Sequence, residues 1–216
     1  MWDLGLILSA CAGALRGAAR SLDEEQAALG IDALDELEIH PILRRGLTEA
    51  GFGVISEQRY PQAGSRPRRS EGDRCDIVLT ERPGDHLIDP LASHTLFGER
   101  GVEPEAALWL EVKVVGQFSI TDGMARANPG YTAGLLSALT ADVRKLAADD
   151  RIAHGAALLL LFNSDERIAE HDLGQWTRAV IERGLPISSP LCERFSITDR
   201  IGNGIATVAL VQTHHM

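Results

Sequence analysis

Apolar residues at Leu4, Ile7, Leu8, Cys11 and Leu15 fall on one helical stripe, which predicts a helix over about 3–29. A second helical pattern covers 34–50, and Gly51 stands where a helix C-terminus favours glycine. Pro41 is awkward inside that stretch and is expected in the helix's first turn, with the glutamates just ahead of it. Residues 52–60 then read as a strand stopped by Pro61. Residues 62–73 are rich in Gly, Pro, Ser and Arg and predict a loop. A short β-rich run covers 75–80, and 81–106 reads as an insertion. The clearest strand is 108–115, followed by a loop over 116–130 and an amphipathic helix over 132–149. The unbroken apolar run 156–162 predicts a buried strand. A helix over 169–183 and strands over 193–198 and 205–213 complete the pattern.

Helix, three strands, helix, strand is the order of an α/β fold with a mixed sheet flanked by helices. At 216 residues the chain suits one domain: a core over 34–162, an N-terminal helical extension over 1–33, and a C-terminal helix and strands over 163–216. The run 156–162 is far too short to cross a bilayer, so no membrane partner is expected. The apolar stretch from Leu4 to Leu15 superficially resembles a signal-peptide core, but Asp3 and no basic residue precedes it, so a packed helix of a cytoplasmic protein is expected. Cys11, Cys75 and Cys192 are odd in number and share no CxxC spacing, which suggests neither a disulfide framework nor a zinc site. The histidines show no metal-ligand spacing. Gly-rich phosphate loops are missing from the sequence, which argues against ATP use.

Two charges interrupt the strand Leu108-Trp109-Leu110-Glu111-Val112-Lys113-Val114-Val115. Alternation puts Glu111 and Lys113 on the face shared with Trp109 and Val115. Charges in so apolar a strand are costly unless they are paired or bind an ion. Lys113 and Lys145 are the two lysines among 21 basic residues. A partly buried ammonium can lose or reposition a proton more readily than a guanidinium, which suits a place beside a metal-bound water. A simple Glu–Lys pair on a solvated strand is the competing explanation. Asp76, at the start of the preceding strand, changes the balance. If the two strands are neighbours, Asp76 and Glu111 point to one side at one end, where two carboxylates and the Val112 carbonyl supply oxygen ligands for Mg²⁺.

Asp76 followed by Glu111-Val112-Lys113 resembles the PD-(D/E)xK nuclease superfamily, the restriction endonuclease-like fold. Cys75 stands where that motif has proline. The similarity covers about residues 35–162 as an order of elements. It implies a restriction endonuclease-like core in αβββαβ order and a metal-dependent nuclease acting on nucleic acid, with DNA as the expected substrate. It also implies Mg²⁺, or Mn²⁺, held by Asp76, Glu111 and the Val112 carbonyl. Lys113 is then expected to orient the attacking water or to stabilise charge on the phosphorane. A further carboxylate on the first core helix belongs to the resemblance, with Glu36 favoured over Glu38 because it is in phase with His40, Leu43 and Leu47.

Arg66, Arg68, Arg69 and Arg74 form the one local basic cluster and are candidate phosphate contacts. Asp142 and Lys145, one turn apart, are expected to pair with each other. The net charge of −10 argues against tight autonomous binding to duplex. It leaves room for a protein partner or a homodimer, and for the alternative of a nuclease-fold subunit that binds without cutting. An unrelated α/β domain with a structural Glu–Lys pair is the remaining alternative.

Overall fold

Asp3 accepts a hydrogen bond from the Leu6 amide at 3.0 Å and so caps helix α1, Leu4–Glu24, where the apolar stripe begins. The chain is seen as a computed structural model that describes residues 2–61, 74–88 and 101–215. Helix α2, Glu36–Glu49, opens with a reciprocal capping box between Asp35 and Glu38, each bond 2.9 Å long. Pro41 lies inside this helix rather than in its first turn. The carbonyl it cannot serve belongs to Leu37, a largely exposed residue, so the missing bond falls on the solvated side. Gly51 ends the helix at φ 95°, and the Phe52 amide closes back on the Leu47 carbonyl at 3.2 Å, the Schellman pattern.

Strands β1 (Gly53–Arg59), β2 (Arg74–Thr80) and β3 (Leu108–Gly116) follow. The hairpin β4–β5 (Phe118–Thr121 and Met124–Ala127) occupies the stretch expected as loop. Its two-residue turn, Asp122-Gly123, has φ 53° and 73°, the primed-turn geometry that an Asp-Gly pair favours. Next come α3 (Tyr131–Ala133), a π-helical stretch (Gly134–Ala138) and α4 (Leu139–Ala148), where one continuous helix was expected. The widened turn leaves the Leu136 carbonyl to accept from the Thr140 hydroxyl at 2.9 Å and from Arg183 at 2.6 Å. Strand β6 (His154–Asn163), helix α5 (Glu166–Glu182) and strands β7 (Leu191–Ser196) and β8 (Ile205–Thr213) complete the chain.

The result is a mixed α/β fold with a six-stranded sheet in the order β1-β2-β3-β6-β8-β7. Only β3 and β6 run parallel, as the intervening helical crossover requires. One face packs Ile77, Leu79, Leu110, Val112, Leu158 and Leu160 against α1 and α2. The other packs Val115, Leu159 and Leu161 against α4 and α5. Buried on both faces, β6 carries the unbroken apolar run that the sequence displays. The expected N-terminal extension is part of this arrangement, because Ile7, Cys11 and Leu15 of α1 are fully buried in the first layer.

Candidate functional site

The β2–β3 ladder runs Leu79↔Leu108, Val78↔Trp109, Ile77↔Leu110, and the next step along it opposes Asp76 to Glu111. There the backbone ladder ends. The Val112 amide donates instead to Asp76 Oδ2 at 2.8 Å, and the Val114 amide to Glu36 Oε2 at 3.3 Å. An unsatisfied amide in a half-buried strand is costly, so two carboxylate side chains stand in for the strand that has diverged. Asp76 is held by this bond, and Glu36 by its place in the first turn of α2, where the helix dipole favours a negative charge.

Glu111 is buried, with 4% of its surface exposed. The Tyr60 hydroxyl, delivered from the end of β1, donates to Glu111 Oε1. The Tyr60 ring stacks on Trp109 with centroids 5.9 Å apart. Burial pushes the Glu111 carboxyl up to about 9, the Asp76 charge and a hydrogen bond with Asp76 push the same way, and the Tyr60 hydrogen bond opposes them. At neutral pH Glu111 therefore keeps its proton against the Asp76 carboxylate. A divalent cation fits the same need: it offsets the repulsion of two adjacent carboxylates whose oxygens are suitable donors. The Val112 carbonyl leaves β3 on the same side as its amide, which brings a third oxygen to that edge.

Lys113 Nζ lies 3.0 and 2.9 Å from the two oxygens of Glu36. Burial draws its pKa down, but the hydrogen bonds and charge of Glu36, with the charges of Asp142 and Asp76, outweigh burial and leave it above the ordinary lysine value. Lys113 is thereby held as a cation. Asp142 on α4 pairs with Lys145 at 3.0 Å, and its charge also reaches Glu111 and Tyr60.

Comparison with family models, with curated proteins and with solved structures finds no match to this chain.

Of the residues singled out from sequence, Glu36, Asp76, Glu111, Val112 and Lys113 come together. Glu38 is spent on the capping box and takes no part in the cluster. Arg74 is exposed and donates to the Glu57 carbonyl at 2.8 Å. Arg66, Arg68 and Arg69 lie outside the described residues.

Three neighbours were not read from the sequence. Tyr60 touches Glu111, and ligand atoms of His40 and Glu57 gather with Asp76 within 4.8 Å of one another. His40 follows Glu36 by four residues on the same helix, a spacing that placed it on the same face. Glu57 offered no such signal, because it meets Asp76 across β1 and β2. There Ser56↔Ile77 and Gln58↔Cys75 flank a position at which Glu57 adopts φ 53°, the left-handed region unusual for any residue but glycine.

Proposed function

We propose that this chain is a metal-dependent nuclease of the restriction endonuclease-like fold, hydrolysing phosphodiester bonds of nucleic acid, with DNA as its substrate. The observation that carries the reading is the opposition of Asp76 and Glu111 where β2 leaves β3, with the Lys113 cation two residues along the same strand. Asp76, Glu111 and the Val112 carbonyl are the groups that would hold Mg²⁺ or Mn²⁺. A divalent ion supplies Lewis acidity toward a phosphate oxygen and toward water. Lys113, kept protonated by Glu36, donates hydrogen bonds to charge that builds on the phosphoryl oxygens. Glu36 thus positions the lysine and the end of β3 together. Tyr60 fixes one oxygen of Glu111, which leaves the other for the ion.

The acidic net charge favours a catalytic domain brought to its substrate by a protein partner or a second copy. The test is cleavage of linear, circular and single-stranded DNA, and of RNA, with Mg²⁺ or Mn²⁺ present. Cleavage of DNA is expected, reduced at least about a hundredfold in Asp76→Ala, with the circular dichroism spectrum unchanged. An Asp76→Ala protein that cuts at the wild-type rate overturns the assignment. A wild-type chain that binds metal and nucleic acid but cuts neither DNA nor RNA is the non-cutting subunit instead.

A further inference from the structure

The His40–Glu57–Asp76 cluster has a chemistry the nuclease motif does not account for. His40 lies on α2 with 7% of its surface exposed. Its Nε2 is buried without a hydrogen-bond partner among the described residues. A buried ring nitrogen left unpaired is unfavourable unless something occupies its lone pair or takes its proton. Ligand atoms of His40, Glu57 and Asp76 all lie within 4.8 Å of one another. That is close to twice a metal–ligand bond of roughly 2.1 Å, so small side-chain rotations bring the three onto one ion. Glu57 is exposed, which gives an ion and its waters a way in.

We propose that His40, Glu57 and Asp76 form a binding site for a first-row transition-metal dication, of the Mn²⁺ or Zn²⁺ class. The ligand set decides the class of ion. Two carboxylates balance the 2+ charge, while a neutral imidazole suits transition metals, and Mg²⁺ and Ca²⁺ prefer oxygen donors throughout. Three protein ligands from three elements leave coordination positions for water or a phosphate oxygen. The site shares Asp76 with the proposed nuclease centre, and it rests on the ligand geometry rather than on that activity.

The test is metal binding by the intact chain, followed by calorimetry and by electron spin-echo spectroscopy of bound Mn²⁺. Wild type is expected to bind Mn²⁺ at least about tenfold more tightly than Mg²⁺ and to show ¹⁴N coupling from a coordinated imidazole. His40→Gln should abolish the coupling and weaken Mn²⁺ binding about ten- to a hundredfold, a range that even indirect partners of a ligand reach. Because His40 is buried, Glu57→Gln at an exposed position provides the second arm and should weaken Mn²⁺ binding while keeping the ¹⁴N signal. Equal affinity for Mn²⁺ and Mg²⁺ overturns the proposal. So does Mn²⁺ bound without ¹⁴N coupling, or a Glu57→Gln protein that binds Mn²⁺ as wild type does. Cleavage is not part of the readout: imidazole-bound Mn²⁺ in a chain that cuts nothing keeps this site and discards the nuclease, and Mg²⁺-driven cleavage without ¹⁴N coupling does the reverse.

Discussion

Two features of its place disfavour an ionised Glu111: its strand buries it, and Asp76 faces it with a like charge. The folded chain therefore holds a proton on Glu111 up to about pH 9, against an ordinary value of 4.5. Because the folded pKa is the higher one, protonation stabilises the fold. That contribution is complete below the ordinary value, shrinks as pH rises, and is lost once pH passes the folded value. In chelated buffer, unfolding midpoints are expected to fall between about pH 6 and about pH 9 with a slope of up to about 1.4 kcal/mol per pH unit from this one proton. Glu111→Gln, which cannot ionise, should lose that part of the slope. Urea melts of both proteins across the range check it, and parallel pH profiles would contradict the assignment.

At the scale of elements, α1 and α2 cross closely at Gly46. A Cβ added at Gly46 would stand 2.6 Å from Ala14 Cβ and 2.7 Å from the Ala10 carbonyl oxygen, and the latter is backbone that cannot swing away. Alanine is favoured over glycine within a helix by about 1 kcal/mol, but here the two helices must part to admit it. Overpacking of this kind costs about 1–3 kcal/mol. Gly46→Ala is expected to be neutral to about 2 kcal/mol destabilising, and Gly46→Val worse than Gly46→Ala, as read by urea unfolding. Stabilisation of both variants would show that the crossing relaxes freely. The crossing bears on the site because α2 also carries Glu36 and His40, so a displaced α2 should weaken metal binding along with stability.

For the whole molecule, the charge balance sets how nucleic acid is met. With a net charge of −10, few phosphates can be neutralised by basic side chains, so few condensed counterions are released. Duplex affinity of the isolated chain at physiological salt is expected to be weaker than about 10⁻⁴ M, the loose end of non-specific binding. Fluorescence anisotropy on a labelled duplex in chelated buffer measures it, and micromolar binding would mean that a basic surface dominates despite the total. No helix among the described residues is long and apolar enough to cross a membrane.

Much of this organisation was legible in the amino-acid order, because periodicity reports burial. The α1 stripe, the two-faced burial of β6 and the crossover between β3 and β6 follow from which positions are apolar. Glu111 and Lys113 stood out because charges are costly in such a strand, whatever lies beside it. The β4–β5 hairpin was missed, since 116–130 was expected as loop, although its Asp122-Gly123 turn pair is a local signal whose left-handed conformations glycine and aspartate tolerate. The assignments that needed neighbours were decided only in three dimensions. The choice between Glu36 and Glu38 turned on a capping box and on an open strand edge. The protonation of Lys113 turned on a carboxylate far away in sequence. The meeting of His40 with Glu57 depended on the β1–β2 register and a left-handed residue within a strand. Local pattern determines which face of an element is buried; which side chains then share a space depends on how the elements pack, and that is where the candidate chemistry of this protein is set.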